Sequence, residues 1–466
     1  HVAHAEANLY TCSQDSIKHI TEVVKEQNLN RVVVASCTPR THQPLFRDSL
    51  RQAGLNPYLF EMANIRNHCS WVHSHDREAA TLKANDLVRM AVARAALLEP
   101  QHTVDVPVQH TALVVGGGVA GMSAALSLAE QGFPVHLVEK QAELGGNLRH
   151  VFTSSDQTDP QETRGRLVDQ VLSNEAISVH LNNRVVSTTG FMGNFTSHLA
   201  NGNGRTEIKH GVTILATGAQ EYRGPEYGYG QDPRIITQQQ FEKQLTTHDA
   251  SPGTHNVVMI QCVGPAEKFC SRICCVQALK NALKLKELNP QAQIIVLYRD
   301  MRAYGFKERL YTEAREKGIL FIHYDFDRKP EVMADNGTLA VQVYESQLGR
   351  ELTFEPELLV LSMPIVPPHD ADELATRLKV SVDLDGYFLE AHVKLRPVDF
   401  SSAGFYMAGM AHYPKLIDET IIQAQAAAAR AALILSKDTM TTSALVAQVD
   451  PELCVGCLTC VRICPY

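Results

Sequence analysis

Four cysteines lie close together in the stretch VVMIQCVGPAEKFCSRICCVQALKNAL, residues 257–283. They are Cys262, Cys270, Cys274 and Cys275, and their spacing is C-x7-C-x3-C-C. Four thiolates can complete a [4Fe–4S] cubane, one for each iron, and the start of a helix favours the negative charge of the thiolates and the cluster. A redox disulfide, or buried thiols at a packed helix end, would use the same residue types. We expect these four cysteines to hold a cluster.

A second group of cysteines ends the chain in the run CVGCLTCVRICP. The spacing C-x2-C-x2-C-x3-C-P of Cys454, Cys457, Cys460 and Cys464 is that of bacterial ferredoxins, and a zinc site is the weaker alternative. In two-cluster ferredoxins the fourth cysteine binds the other cluster. We therefore expect the first three to share a [4Fe–4S] cluster, whose fourth ligand lies in a second run beyond Tyr466.

A glycine turn follows the apolar strand that begins at Ala112. Gly116, Gly118 and Gly121 form the pattern G-x-G-x-x-G between this strand and a helix. Such glycines allow the turn, the approach of a pyrophosphate and close helix–strand packing, and the helix start stabilises the phosphate. Glu139, at the end of the next strand, is placed to accept a ribose hydroxyl. A purely structural turn is the alternative, but this context predicts a dinucleotide site.

Three later motifs extend the pattern: ELGGNL at 143–148, ATGA at 216–219 and GFYMAGMA at 404–411. Together with the glycine turn they resemble the two-dinucleotide-domain flavoproteins that include thioredoxin reductase, over residues 111–435. The resemblance implies FAD. That family has an Asp in the last loop for the ribityl chain, whereas this chain has none, so backbone N–H groups of residues 409–411 are expected to serve instead. Beyond the glycine turn and Glu139, the expected cofactor-binding residues are Lys140, Gly146, Asn147, Ala216, Thr217, Gly218, Gly409 and Ala411.

The position at which that family binds NAD(P)H is changed in this chain. The strand VVMIQ runs directly into Cys262, and between Val257 and Lys280 there is one glycine, Gly264. No second glycine turn follows the strand. We expect the nicotinamide site to be replaced by the cluster, which would serve as an electron relay.

The loop AHYPK, before the last long helix, contains two candidate catalytic residues. A lysine close to the flavin ring would stabilise a reduced, anionic flavin by its charge. We predict this role for Lys415, together with His412. A solvent-exposed loop cation is the alternative interpretation.

Three cysteines near the start of the chain complete a pattern that covers all of it. Cys12, Cys37 and Cys69 lie in YTCSQ, VVVASCTPRTHQPLF and NPYLFEMANIRNHCSWVH. Taken alone, isolated cysteines are more often buried small hydrophobic residues. With CSRICC and AHYPK, however, these segments resemble the A subunit of heterodisulfide reductase, an iron–sulfur flavoprotein of methanogens and many anaerobic bacteria. The resemblance implies a further [4Fe–4S] cluster on these three cysteines, with one ligand upstream of His1.

One departure from the methanogen subunits lies at LRHVFTSSDQTDPQETRGRL, residues 148–167, which contains no cysteine. The methanogen subunits carry an inserted ferredoxin module near this point, so the chain is similar to shorter homologues of sulfate reducers and related anaerobes. The resemblance implies FAD-gated electron transfer, with bifurcation between a disulfide and ferredoxin as a further option. It implies a multi-subunit complex with disulfide-reducing and ferredoxin-like subunits, ferredoxin, and a hydrogenase, formate dehydrogenase or NADH-linked donor module. The alternatives are a quinone-interacting oxidoreductase subunit or a stand-alone NAD(P)H-dependent disulfide reductase.

The elements that must position these residues alternate between strands and helices, which predicts an α/β protein. Its core is expected to be thioredoxin-reductase-like, with two dinucleotide-type domains, a small N-terminal α/β domain and a C-terminal ferredoxin-like module. The N-terminal domain should contain helices at 13–28 and 78–98. The expected ranges are 1–100 for the N-terminal domain, 111–255 and 351–436 for the two parts of the FAD domain, 256–350 for the degenerate NAD-binding-like unit with its cluster, and 445–466 for the start of a truncated ferredoxin-type domain.

Composition excludes some functions and suggests a compartment. The net charge of −8 gives no general signal for nucleic acid or anionic membranes, and no apolar run approaches the roughly 20 residues of a membrane span. Clustered cysteines without secretory context favour metal ligands over disulfides and a reducing, cytoplasmic compartment, with membrane association only through partners. The chain begins without Met and ends inside a motif, so we expect a fragment of a longer protein.

Overall fold

The computed structural model describes residues 2–155, 158–202, 204–247, 255–267, 269–335, 337–442, 447 and 449–463. It divides into two compact units, one formed by residues 1–106 and 439–466 and the other by residues 107–438. The glycine turn and the Cys262 group both lie in the larger unit. Within the described residues, no helix combines the length and apolar character that a membrane span requires.

The N-terminal part of the smaller unit contains two parallel strands and three α-helices. In chain order its elements are α1 (Gln14–Glu26), β1 (Val32–Ser36), α2 (Pro39–Gln52), β2 (Phe60–Asn64), a π-helical turn (Arg66–Ser70) and α3 (Arg77–Ala96). Helix α2 is absent from the sequence prediction because it contains Pro39 and Pro44. The first is tolerated in the opening turn. Phe46 and Leu50, one turn apart and fully buried, hold the rest of α2 on the core.

The remaining elements belong mainly to the larger unit. The strands are β3 (Asp105–Pro107), β4 (Ala112–Val115), β5 (Val135–Val138), β6 (Ile177–His180), β7 (Arg184–Phe191), β8 (Asn194–Asn201), β9 (Gly204–His210), β10 (Val212–Leu215), β11 (Gln220–Glu221), β12 (Ile235–Thr237), β13 (Asn256–Ile260), β14 (Gln293–Tyr298), β15 (Leu320–His323), β16 (Glu331–Asp335), β17 (Thr338–Glu345), β18 (Arg350–Phe354), β19 (Leu358–Leu361), β20 (Ile365–Val366), β21 (Phe405–Met407) and β22 (Thr439–Thr441). The helices are α4 (Val119–Ala129), α5 (Pro160–Ser173), α6 (Gln238–Thr247), α7 (Cys274–Leu288), α8 (Glu308–Glu316), α9 (Ala371–Leu378), α10 (Ile417–Leu435) and α11 (Thr459–Ile463).

The first large sheet has the strand order β21–β10–β4–β5–β6, and its strands are parallel. Strands β4 and β10 are buried along their whole length. Helices α4 and α10 pack against each other through fully buried alanines such as Ala124 and Ala428, whose small side chains allow a close approach. In parallel sheets of this kind, ligands bind at the carboxyl ends of the strands.

The second large sheet has the order β12–β19–β13–β14–β15 and is also parallel. Strands β12 and β19 come from outside residues 256–350, the range expected for this part of the protein. The apolar pattern of a short strand does not encode which sheet it joins, so the sequence could not place them. Helix α7 follows β13 and packs against α6 and α8. The larger unit also contains two three-stranded antiparallel sheets, β7–β8–β9 and β16–β17–β18, and the antiparallel pair β11–β20.

Candidate functional sites

A cavity of 390 Å³ lies at the carboxyl end of the first large sheet; we call it the glycine-turn cavity. The residues that directly follow strands β4, β5 and β10 and the starts of α4 and α10 contribute to its walls. Ten of the residues predicted from the sequence line it: Gly116, Gly118, Glu139, Lys140, Gly146, Asn147, Ala216, Thr217, Gly218 and Lys415. The predicted residues Gly121, Gly409, Ala411 and His412 lie outside this lining.

Two glycines of the turn are required by close backbone contacts. Gly116 has φ +112°, and a Cβ there would lie 2.2 Å from the carbonyl oxygen of Ala216. At Gly121 a Cβ would lie 1.8 Å from the carbonyl oxygen of Gly116. A Cβ at Gly118, by contrast, would meet only the Gly146 Cα, at 3.8 Å. Gly118 therefore leaves room for a ligand, whereas Gly116 and Gly121 allow the turn and the helix to pack.

Glu139 is almost fully buried at the end of β5. Its Oε2 accepts a hydrogen bond from the Gly117 N–H at 2.6 Å, and its Oε1 accepts one from the Gln141 N–H at 2.9 Å. Each carboxylate oxygen has two acceptor sites, so capacity remains for a ligand hydroxyl. Lys140, next in the chain, pairs instead with Asp370 at 3.0 Å.

The glycine-turn cavity has the chemistry that a dinucleotide requires. The first N–H groups of α4 face the turn and can bind a pyrophosphate. The buried Thr217 hydroxyl, in another residue of the lining, has no hydrogen-bond partner in the described part of the chain. A bound ligand would satisfy this hydroxyl, and the residues present therefore fit a dinucleotide.

The loop before α10 supplies one charged group to the glycine-turn cavity, Lys415. Its ammonium group is buried and donates hydrogen bonds to the carbonyl oxygens of Gly409 (2.8 Å) and Tyr413 (3.0 Å). Burial lowers the pKa of Lys415 to about 7, although Glu419 acts in the opposite direction and Arg272 adds to the lowering. Burial of Lys415 thus makes its charged form less favourable than that of an exposed lysine.

His412 belongs to the same loop but does not line the glycine-turn cavity. Gln423 donates from Nε2 to the His412 Nδ1 at 2.7 Å, and the other ring nitrogen lies 2.9 Å from Glu390. Burial lowers the pKa of His412, whereas Glu390 raises it. Gln423 Oε1 also accepts the Gly409 N–H at 2.9 Å, so that N–H is already engaged. This network holds the loop in shape.

A second cavity, of 230 Å³, lies at the carboxyl end of β13; we call it the cysteine cavity. Its lining includes all four cysteines of the first group. Cys262 follows β13, Cys270 lies in the loop, and Cys274 and Cys275 begin α7. The structure thus brings these four predicted ligands to one place.

Three of the four thiols, those of Cys262, Cys274 and Cys275, lie in an environment that favours their protonated form in the absence of a cation. Burial raises the pKa of Cys262 and Cys274 and raises that of Cys275 to about 11, and the neighbouring thiols add to each shift. Two arginines that line the same cavity oppose this effect: Arg299 and Arg302 lower the pKa of Cys262, and Arg302 lowers that of Cys275. Iron bound by the thiolates would supply the remaining positive charge, so the donor set fits a cluster.

The arrangement differs from a single-ion site. In the described residues, no group of three or more His, Cys, Asp or Glu side chains is placed to hold one metal ion. A cubane has a different requirement, because each thiolate binds its own iron. Cys262 also has φ +59°, a left-handed conformation that is uncommon without glycine. In a nucleotide-binding site a glycine would be expected at this left-handed position after β13, whereas here the residue is Cys262.

The other predicted ligands lie in the smaller unit. Cys37 directly follows β1 and is buried, and Cys69 is buried in the π-helical turn after β2. Since Ser36 pairs with Asn64, the ends of the two strands are side by side. Cys12 is exposed, and all three cysteines are free of disulfides. Cys454, Cys457 and Cys460 are exposed, and Cys464 lies outside the described residues.

Sequence reasoning missed a buried ion pair between α6 and α7. Lys280 Nζ lies 2.7 Å from Glu242 Oε1, and Lys280 lines the glycine-turn cavity. The same carboxylate oxygen accepts the N–H groups of Phe152 (2.7 Å) and Thr153 (2.9 Å). Each residue alone is an ordinary charged residue of an amphipathic helix, so the sequence carried no signal for the pair.

Comparison with known proteins defines the class first. A family model described as an NAD(P)-binding Rossmann-like domain matches residues 114–163, and one described as a 4Fe-4S binding domain matches residues 447–466. The structure is similar to thioredoxin reductase from Lactococcus lactis, with a TM-score of 0.50 and 16% sequence identity, over 70% of this chain and 99% of that one. The fold is that of a thioredoxin-reductase-like flavoprotein, joined to a ferredoxin-type module.

Curated relatives then define the family. The chain is 35% identical to an iron–sulfur A subunit of CoB–CoM heterodisulfide reductase from Methanopyrus kandleri, over 98% of this chain and 84% of the relative. It is 33% identical to the A subunit of the H2:CoB-CoM heterodisulfide,ferredoxin reductase of Methanothermobacter marburgensis, with the same coverage. The chain belongs to the heterodisulfide reductase A-subunit family and is an oxidoreductase. Fold, family and 4Fe-4S domain support FAD and an iron–sulfur cluster as cofactors.

The first alignment also shows a difference in length. It extends over 561 positions, whereas this chain has 466 residues. The M. kandleri relative therefore contains aligned residues that have no counterpart here, as expected of a shorter form.

Proposed function

We propose that this chain transfers electrons between FAD in the glycine-turn cavity and a [4Fe–4S] cluster in the cysteine cavity. When bound, FAD exchanges electrons in pairs and passes them singly to an iron–sulfur centre. The chain would thus act as the flavin subunit of a heterodisulfide-reductase-like complex. Family membership supports the setting, and the arrangement of the two cavities supports the route.

The observation that carries the proposal is that the two cavities share the first turn of one helix. Ile273 and Val276 line the glycine-turn cavity, whereas Cys274 and Cys275, between them in sequence, line the cysteine cavity. Consecutive Cα atoms are about 3.8 Å apart. A flavin and a cluster bound in these cavities would be separated by little more than this turn.

Other residues would hold the flavin and complete the shared wall. The start of α4 would bind the pyrophosphate and Glu139 the ribose. Lys415 would place a positive charge in the flavin cavity, where it favours added negative charge on the ring. Arg272 connects the cysteine loop to α10, because its Nη2 lies 3.2 Å from Glu419 Oε1. These contacts support a fixed spacing between the two cofactors.

We further propose additional clusters and partners for the chain. Cys12, Cys37 and Cys69 would contribute to one cluster and the ferredoxin-type run to another, within the domain ranges expected from the sequence. The name of the M. marburgensis relative joins hydrogen, a heterodisulfide and ferredoxin. By analogy, the partners of this chain would include a donor module, ferredoxin and a disulfide-reducing subunit, with the flavin splitting electron pairs between the two acceptors.

A paired substitution in the full chain tests the proposal. Replacing Cys274 and Cys275 with serine should remove about four irons per chain, the content of one cubane, while FAD is retained. Electrons should then no longer pass from the reduced flavin to ferredoxin. The control is Ser271→Ala, a buried residue of the same loop whose hydroxyl accepts the Ile365 N–H at 2.9 Å, and it should keep all its iron. Full iron content in the cysteine variant would refute the proposal.

A further inference from the structure

Gln261, the residue before Cys262, has an unusual environment. It follows β13 directly, its side chain is completely buried, and it lines the cysteine cavity. In the described part of the protein, neither its Nε2 nor its Oε1 has a hydrogen-bond partner. Buried side-chain amides are nearly always hydrogen-bonded, so an orphaned amide on a cavity wall indicates a partner that belongs in the cavity.

The backbone of Gln261 is fixed from both sides. Its N–H donates to the Leu297 carbonyl oxygen at 2.9 Å, and its own carbonyl oxygen accepts from the Tyr324 hydroxyl at 2.7 Å. A shift of the main chain therefore cannot carry the amide to another partner. Asn281, a fully buried amide on α7, is held by its NH2 group, which donates to the Gln238 carbonyl and side-chain oxygens at 3.1 and 2.9 Å. Among the described residues only its Oδ1 lacks a partner, whereas both polar atoms of the Gln261 side chain lack one.

We infer that the Gln261 side chain donates hydrogen bonds to sulfur atoms of a cluster bound in the cysteine cavity and raises its reduction potential. The inference rests on the proposed function. Hydrogen bonds to the sulfurs are one of the means by which a protein sets cluster potential, because they stabilise the more negative, reduced state. Arg299 lines the same cavity, and its Nη1 likewise lacks a hydrogen-bond partner among the described residues, so the cavity offers a second candidate donor.

The test measures potential and iron content, not turnover. In the full chain, the EPR signal that disappears in the Cys274→Ser, Cys275→Ser variant is assigned to this cluster and followed in a redox titration. Gln261→Met keeps the length of the side chain and removes the donor; Gln261→Glu replaces the donor with an acceptor. Both variants should bind iron and FAD as the wild type does, and both should show a lower midpoint potential. The shift should be larger in Gln261→Glu, because a carboxylate also opposes the added electron. Asn281→Met, the control for losing a buried amide, should leave the midpoint unchanged.

The outcomes separate this inference from the proposed function. If the cysteine variant keeps all its iron and every EPR signal, the cluster itself is wrong. If that variant loses the cluster but an iron-loaded Gln261→Met or Gln261→Glu protein titrates at the wild-type midpoint, the inference is overturned and the amide faces a buried water. An equal shift in Asn281→Met would also overturn it, because general loosening of the second sheet would then be the cause.

Discussion

Replacing Glu242 with glutamine should destabilise the larger unit strongly. The carboxylate is buried, with 1% of its side chain exposed, and it pairs with Lys280, whose side chain is 11% exposed. Burial already lowers the pKa of Lys280, and Glu242 is the group that opposes this shift. The amide of glutamine would retain the shape of the side chain but remove the charge. A buried ammonium group would then lack its counter-ion.

The magnitude follows from the cost of breaking a buried pair. Removing one partner of such a pair costs about 3–5 kcal/mol, because the other charge remains desolvated. Glu242 also accepts the N–H groups of Phe152 and Thr153, which a glutamine oxygen can keep in part. We therefore expect a loss of about 3 kcal/mol, at the lower end of that range. The double variant Glu242→Gln, Lys280→Met should recover part of it, since no unpaired charge is left.

Urea unfolding of the full chain, followed by far-ultraviolet circular dichroism, measures the effect. The control is Lys284→Met, on the same helix, because Lys284 pairs with Glu287 at 3.0 Å and both side chains are well exposed. Exposed pairs contribute about 1 kcal/mol or less, so this variant should unfold close to the wild type. If Glu242→Gln lowers the free energy of unfolding no more than Lys284→Met does, the buried ion pair of Glu242 with Lys280 does not stabilise the larger unit as the structure indicates.

Three further predictions concern the cofactor sites. Gly118→Val should abolish FAD retention, because the valine side chain would occupy the space left for the pyrophosphate. The control is Gly165→Ala, on α5, where an added Cβ would meet no atom within 4 Å, and this variant should bind FAD normally. Full flavin content in Gly118→Val would contradict the assignment. NADH or NADPH alone should neither saturate the isolated chain nor reduce its flavin, because Cys262 stands in the turn after β13 and the proposed cluster would fill the space beside it. Rapid reduction with micromolar saturation, followed by stopped-flow absorbance, would disprove this. Lys415 interacts electrostatically with Glu419, Arg272 and His412, and its pKa in the folded protein is about 7, below the 10.5 of an ordinary lysine. Between pH 7 and 10.5 the unfolded chain therefore binds more protons at this residue than the folded chain does. This residue should therefore raise the free energy of unfolding of the flavin-free wild type by about 2 kcal/mol between pH 7.5 and 9.5. Urea titrations of Lys415→Met should lack this increase. The same increase in the variant and the wild type would contradict the lowered pKa of Lys415.

Spacing along the chain was informative where a function needs residues that are close in sequence. The three glycines and Glu139 lie in or next to the consecutive elements β4, α4 and β5, and the four cysteines of the first group lie between β13 and the start of α7. Each set is therefore brought together by local geometry. The ion pair of Glu242 with Lys280 depends on the packing of α6 against α7, and the orphaned amide of Gln261 is visible only once burial is known. Neither has a sequence signature. His412 shows the opposite limit, because its place in a motif predicted a catalytic role, whereas in the structure its ring contacts Glu390 and Gln423 and does not line the glycine-turn cavity.

The single turn that forms part of both cavity walls has a consequence for evolution and engineering. Substitutions at Arg272, Ile273 or Val276 that move the start of α7 would alter flavin binding and cluster geometry at once. Effects of mutations at neighbouring, coupled positions are not additive. Natural variation in this turn should therefore occur as compensating sets. A redesign that aims to change one cofactor's properties should begin at residues outside α7 that line the glycine-turn cavity and not the cysteine cavity, such as Asn147.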